Sequence, residues 1–330
     1  MYRSQVFSGR INGVLCFAWS HQGLLAFGCC DHNIRLLTAD GELIRMLVGH
    51  EDCVTGVAWS STQILASGSH DCTVRLWNID GEQLRTIRVH DTIVTSVAWF
   101  GDRISASGNS GRIVQLWTAD GNPTRRLVGS ISCMMFIAWS STQILATGGY
   151  DNTVRLWTSD CDLISTLRGH TKSVWCVAWS STQILASGSA DHTVRLWNTD
   201  GEPIRTFVSH TCCVRCVAWS GDRLASGSND HTIRLWTPDG KPSRTLMGHT
   251  GIVTCVAWSG YRLASGSRDR KTLRIHTSGR WTPHTHHQFP RKFRNLVFQL
   301  MLVRNRQEGT AVRLPIEIWL EIIEILSDVK

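Results

Sequence analysis

The stretch AWSSTQILASGS runs from Ala58 to Ser69, and the same twelve residues return unchanged from Ala178 to Ser189. Working outward, the Ala-Trp pair recurs with its tryptophan at positions 19, 59, 99, 139, 179, 219 and 258, a spacing of 40 that shortens once to 39. Each unit reads as four short strands. VTGVAWS alternates apolar and polar, QILASGS follows a polar turn, TVRLWN is rich in β-formers, and EQLRTIRV closes the unit. Asp-Gly pairs at 40–41, 80–81, 120–121, 200–201 and 239–240 separate the third and fourth strands and predict type I′ hairpins. Asp160-Cys161 breaks that pattern in the fourth unit, where a longer or strained hairpin is expected.

A unit of four antiparallel strands cannot bury both sheet faces alone, so units at this period pack face to face around an axis. Seven of them make a closed ring, which removes exposed sheet edges. The seventh third strand (272–277) has no proper fourth strand after it, whereas Ser4–Ser8 precedes the first unit and reads as one. The expected fold is therefore an all-β, seven-bladed β-propeller over residues 1–280, closed by its N-terminal strand. A linker (281–290) and a short helical tail (291–330) follow.

Fifteen tryptophans in 330 residues are explained mainly by this period. The formal charge is +8, with arginine supplying 29 of the 34 basic residues. These recur once or twice per repeat instead of forming a run, which favours blade edges over a nucleic-acid stripe. The N-terminus lacks an apolar signal core, and no stretch approaches the ~20 apolar residues of a membrane span. The twelve cysteines are not a disulfide-dense pattern, so an intracellular chain, cytoplasmic or nuclear, with reduced thiols is expected.

Four positions tie these units to a known family. The second unit has His50 before its first strand, Ser67 in its second, Asp71 in the next turn and Trp77 in its third. The fifth has His170, Ser187, Asp191 and Trp197, and the sixth His210, Ser226, Asp230 and Trp236. In this the chain resembles the WD-repeat family from about residue 4 to residue 280. The resemblance implies a propeller in which Asp and Ser share protons with His, and His meets the Trp ring nitrogen. Some units depart from the pattern. The third has His90, Ser107 and Trp117 but Gly111 for Asp, and the fourth has Ser130 for His beside Thr147, Asp151 and Trp157. The first keeps Asp31 but carries Arg10, Phe27 and Leu37, and the seventh has His249, Ser265 and Asp269 with His276 for Trp. Blades one and seven are accordingly expected to be the least stable.

Repeated Ser, His and Asp superficially suggest a hydrolase, but their repetition together with Trp marks an interior network, and no exposed nucleophile elbow is evident. No enzyme activity and no cofactor are expected. Cys213 and Cys216 form a CxxC on a strand, where residues three apart face opposite ways, so no metal site is expected there. His284, His286 and His287 read as a solvated loop.

Near-identical repeats separate scaffold from specificity, because positions that differ between blades are free to be specific. Three vary most: six residues before each Ala-Trp tryptophan, four before it, and immediately before the turn Asp. From these, Trp175, Met135, Tyr150, Arg215, Ile93, His70 and Arg268 are the candidate partner contacts, expected on one face. Trp, Tyr and Arg dominate interface energetics.

In the tail, RLPIEIWLEIIEILSDVK resembles the opening of an F-box through Leu314, Pro315, Glu317, Ile318, Ile322 and Leu326, and a SOCS box less closely. An F-box would imply a Skp/cullin-type adaptor docking through Leu314, Pro315, Ile318 and Ile322. The function expected is a non-enzymatic scaffold, monomeric, that captures a peptide or protein on one face, as in a substrate receptor of a cullin-type ubiquitin ligase. The alternatives are a regulatory or sensor propeller of a larger signalling protein, and a binder of acidic ligands or nucleic acid.

Overall fold

A computed structural model describes residues 2–7, 13–89, 93–108, 113–128, 134–237, 240–269 and 273–278. Seven four-stranded sheets follow one another along the chain as seven blades. Within a blade the strands pair antiparallel in sequence order, as in Val54–Trp59, Leu65–Ser69, Thr73–Trp77 and Gln83–Arg88 of blade two. The seventh sheet is completed from the start of the chain, with Tyr2–Phe7 beside Leu273–Ser278 in its fourth-strand place. First strands pack on first strands from blade to blade, and that of blade seven returns to that of blade one. The ring therefore closes.

Burial follows position in the blade. Second strands such as Leu65–Ser69 and Leu185–Ser189 are buried at every residue, while fourth strands such as Gln83–Arg88 are exposed at all but one. The apolar core lies in the seams. One such cluster joins Val154, Leu156 and Leu167 of blade four to Val174, Leu185 and Trp197 of blade five. First-strand tryptophans stitch the seams further: the indole N–H of Trp59 donates to the Ala18 carbonyl (3.3 Å), that of Trp219 to Ala178 (3.2 Å), and that of Trp19 to Ala257 (3.2 Å) across the closure. Glycine is required where seams are tightest. A Cβ on Gly188 would lie 2.6 Å from both Cys176 Sγ and a Val214 methyl. Cys16, Cys176, Cys216 and Cys255 fill this inner position, and burial pushes the Cys176 thiol up to about 12.

The structure corrects two local expectations. The Asp-Gly hairpins are not type I′. In blade one the Gly41 amide bonds the Thr38 carbonyl (2.9 Å) and the Thr38 amide bonds Glu42 (2.9 Å), with positive φ at Gly41 (87°) and not at Asp40. This is a type I turn closed by a left-handed bulge residue, a three-residue loop that absorbs strand twist as a two-residue primed turn does. Blade four has the same loop length, since Thr158 bonds Asp162 (2.9 Å) and Cys161 bonds Thr158 (3.1 Å). Cys161 sits at φ 74°, so its hairpin is strained and not longer. Cys161→Gly is expected to raise the unfolding free energy by about 1 kcal/mol, the cost of a left-handed non-glycine residue. A urea midpoint equal to or below wild type would contradict this.

The second correction lies in blade three. Val57 pairs with Ser67 in blade two, but the equivalent Val97 pairs with Ala106, which in turn faces Gln115. Ser107 stands one residue farther along, where other blades have glycine, and its hydroxyl lies 3.0 Å from that of Thr95. Ser107 is thus not the network serine of blade three, because sequence offset from Trp99 does not track pairing once the intervening turn changes length.

His90, Gly111, Ser130, Cys133, the histidine cluster 284–287 and the whole F-box-like segment, with Leu314, Pro315, Ile318 and Ile322, lie outside the described residues. Among the described residues, no helix is long and apolar enough to cross a membrane.

Candidate partner-binding face

In every blade the first strand carries a β-bulge. Pairing jumps from Val54 to Gly56, from Val174 to Cys176, from Val214 to Cys216, and likewise in the other four. The bulged residue is always the second variable position: Leu15, Thr55, Thr95, Met135, Trp175, Arg215 and Thr254. A bulge releases one residue from the ladder and re-aims its side chain. Where that residue is threonine it serves the scaffold. The Thr55 hydroxyl donates to the Val94 carbonyl and that of Thr254 to Val14, both at 2.5 Å across a seam. Trp175 and Arg215 cannot do this and meet each other instead.

The other two variable positions are drawn to the same end of the blade by a repeated backbone bond. The amide before each turn Asp donates to the carbonyl of the first variable position: His70 to Cys53 (3.0 Å), Ala190 to Ser173 (2.9 Å), Asn229 to Cys213 (2.9 Å) and Arg268 to Ile252 (3.1 Å). All three sets therefore share one face.

On that face the Arg215 guanidinium carbon lies 3.4 Å from the Trp175 ring centroid, and Arg215 Nε donates to Asn229 Oδ1 (2.7 Å). Burial lowers the Arg215 pKa, and the neighbouring Arg268 charge lowers it further. Tyr150 interacts electrostatically with Arg215 and is 45% exposed. No carboxylate pairs with Arg215 or Arg268 among the described residues. Trp175 Nε1 is buried without an acceptor there. Trp175, Arg215, Arg268 and Tyr150 are thus brought together around blades four to seven. Ile93 and His70 sit at their equivalent places in blades three and two, half-buried, with His70 beside Asp52 and Cys53. Met135 occupies the bulge of blade four, and its side chain is outside the described set.

Beneath this face, the four-residue sets of blades two, five and six are assembled as read from the sequence. Trp77 Nε1–H donates to Ser67 Oγ (2.8 Å), Ser67 lies 2.7 Å from His50 Nε2, and His50 Nδ1 lies 2.7 Å from Asp71. The corresponding distances are 2.8, 2.8 and 2.8 Å for Trp197, Ser187, His170 and Asp191, and 2.8, 2.7 and 2.6 Å for Trp236, Ser226, His210 and Asp230. Donor counting sets the protons. The carboxylate can only accept, so Nδ1 carries hydrogen, and the serine hydroxyl donates to Nε2. Burial pushes the Asp71 carboxyl up, but hydrogen bonds from Thr73, the Glu51 amide and His50 outweigh it and hold it at about 2. Asp191 and Asp230 are lowered by the same balance.

Where histidine is missing, the structure supplies a substitute that sequence reading missed. In blade one Arg35 reaches Asp31 (2.5 Å), and in blade four Arg155 reaches Asp151 (2.7 Å). Both arginines stand on the third strand, opposite the position of Ser67. Blade three has neither the Asp nor this Arg. Its Gln115 bonds the backbone carbonyls of Leu116 (2.9 Å) and Arg125 (2.8 Å) instead. Blade seven keeps Ser265 between His249 (2.9 Å) and His276 (3.0 Å), with a looser His249–Asp269 distance of 3.5 Å.

These sets cannot act as hydrolytic triads. Ser67, Ser187 and Ser226 are 0% exposed, and each oxygen already receives an indole N–H. Cys213 and Cys216 part company, but Cys213 lies in the loop before Val214 and not on the strand expected from the sequence. Cys216 lies buried in the seam against Gly227, and Cys213 sits on the face.

Two family profiles match the chain. Residues 56–211 match the WDR19 first β-propeller, and residues 201–237 and 240–274 match the WD domain, G-beta repeat. These are WD repeats. Together the matches support a WD-repeat propeller family for this chain, whose members generally serve as protein-interaction scaffolds and not as enzymes. No curated protein matches the chain. The matched span begins after blade one, the blade in which the WD-repeat Ser and Trp are replaced by Phe27 and Leu37.

Proposed function

We propose that this WD-repeat propeller captures a protein segment bearing acidic groups on the face around Trp175. One observation carries the reading: Arg215 is stacked on Trp175 and held beside Arg268, with no described carboxylate to neutralise either cation. Two like charges held together at a half-buried aromatic surface repel each other until an anion arrives, and the anion then receives charge-assisted hydrogen bonds. Trp175 and Tyr150 add apolar area, so the arrangement suits an acidic side chain next to an apolar one. The bulges of blades five and six favour recognition over structure, since in blades two and seven the same position is given to a seam-bridging threonine.

The test is an array of immobilised acidic, neutral and basic peptides probed with the purified chain. Acidic peptides should be retained, and Trp175→Ala should weaken that retention by about thirtyfold, the effect of losing an interface anchor worth ~2 kcal/mol. The thermal midpoint should barely change, because Trp175 is not part of a seam core. Equal retention by wild type and Trp175→Ala would refute the reading, and a large loss of stability would show that Trp175 is a packing residue.

A further inference from the structure

Two consecutive cysteines and one histidine meet where blades five and six adjoin, next to the surface just described. Cys212 and Cys213 lie in the loop entering the first strand of blade six, and His192 lies in the turn after Asp191 of blade five. Their thiol sulfurs and an imidazole nitrogen all fall within 4.8 Å of one another, and all three residues are half-buried. From this geometry we propose that Cys212, Cys213 and His192 form a binding site for a thiophilic divalent cation of the zinc class.

The backbone is already arranged for it. The Cys212 carbonyl accepts from the Ser228 hydroxyl (3.2 Å), and the Cys213 carbonyl accepts from the Asn229 amide (2.9 Å), which pins both cysteines to blade six. His192 holds φ 72° in its turn, its amide bonded to Ser189 (3.2 Å), while the adjacent Asp191 is locked into its network. Tetrahedral zinc places thiolate and imidazole donors roughly 3.5–3.8 Å apart, so side-chain rotation of about 1 Å closes the set without moving the backbone. Two thiolates and an imidazole select zinc or cadmium over calcium or magnesium, and binding releases the two thiol protons. Three protein ligands leave one coordination position for water or an outside donor.

Blade two makes an internal contrast. Asp52 and Cys53 stand at the places of Cys212 and Cys213 and lie within 4.8 Å of His70 of their own blade, but there is one thiol, a weaker set for a soft ion. Sequence reading took Cys213 with Cys216 as residues three apart on a strand and did not weigh Cys212. Both Cys212 and Cys213 lie in the loop before Val214, where strand alternation does not apply.

The repeats themselves supply conservative test residues. Blade five has Ser173 at the place of Cys213, and blade four has Asn152, at φ 66°, at the place of His192. The reduced, chelator-treated full chain is titrated with cadmium chloride, reading thiolate-to-cadmium charge-transfer absorption and stoichiometry by equilibrium dialysis. Wild type should bind one ion with a two-thiolate signal. Cys213→Ser should lose at least half of that signal, His192→Asn should weaken binding at least tenfold, and Cys53→Ser should leave it unchanged. The site is overturned if wild type binds no cadmium, if Cys213→Ser and His192→Asn bind as wild type does, or if Cys53→Ser abolishes the signal. Should one variant fail to fold by circular dichroism, the other decides. The readout involves no peptide, so it stands or falls separately from the proposed capture of acidic segments.

Discussion

Replacing Trp197 by alanine is expected to lower the unfolding free energy by about 4 kcal/mol, within the range for deleting a large buried aromatic. Trp197 is 1% exposed and packs in the seam with Val154, Leu156, Leu167, Val174 and Leu185. The deletion therefore leaves a cavity between two blades that a closed ring cannot easily collapse. It also removes the indole N–H that donates to Ser187 Oγ, the first bond of the chain that continues through His170 to Asp191. Trp197→Phe keeps most of the volume and loses the donor, so it should cost about 1 kcal/mol. Urea denaturation of both variants separates the two contributions. Equal losses in the two would assign the effect to the hydrogen bond and contradict a packing role.

Acidification is expected to destabilise the propeller well before its carboxylates protonate, through blade seven. Burial, aided by nearby positive charge, lowers the pKa of His276 from 6.5 to about 3, and burial lowers that of His249 to about 4 against the pull of Asp269. Both imidazoles are thus neutral in the fold and take up protons readily only after unfolding. Their contribution is fully present above 6.5, the unfolded value, and is lost as pH falls toward the folded values. The unfolded state binds the extra protons, at about 1.4 kcal/mol per pH unit per histidine. At about pH 5 the pair would cost ~4 kcal/mol, about 2 for each histidine, since both stay neutral in the fold there. A second acid window opens lower down, where Asp71 is held at about 2 and must protonate to unfold. His276→Trp, which installs the residue found at this place in blades two to six, should flatten the upper window and spare the lower one. Urea midpoints at about pH 7 and about pH 5 measure this slope. An unchanged slope in His276→Trp would remove His276 as its source.

Blade one offers a physical reason why lost network residues need not mean lost stability. Phe27 and Leu37, in the Ser and Trp places, are 1% and 5% exposed in an apolar cluster with Val14, Leu25 and Ile275. Its Asp31 is matched by Arg35. Exchanging a buried polar set for well-packed apolar residues is often neutral or favourable. Of the two closing blades, blade seven is therefore expected to be the weaker, since it retains the polar set but with a loosened His249–Asp269 pair and a second buried histidine.

The sequence by itself determined the number of blades, the closing strand and the three complete Ser-His-Asp-Trp sets, because each is written as a period near 40 or as a break in it. It also marked the variable positions, since near-identical repeats make every difference visible. Tertiary structure alone decided which of those positions meet and how. Trp175 and Arg215 are forty residues apart and stack because each sits on a bulge, and a bulge is a property of strand pairing that no residue type announces. Arg35 and Arg155 pair with an Asp only four residues earlier, but blades two, five and six carry arginine at the same place, so which partner takes the Asp shows only in the folded blade. The frame slip of Ser107 and the meeting of His192 with Cys212 and Cys213 have the same origin. Local periodicity fixes what each segment becomes, whereas which side chains meet depends on strand pairing within a blade and on packing between blades, which exist only in the folded protein.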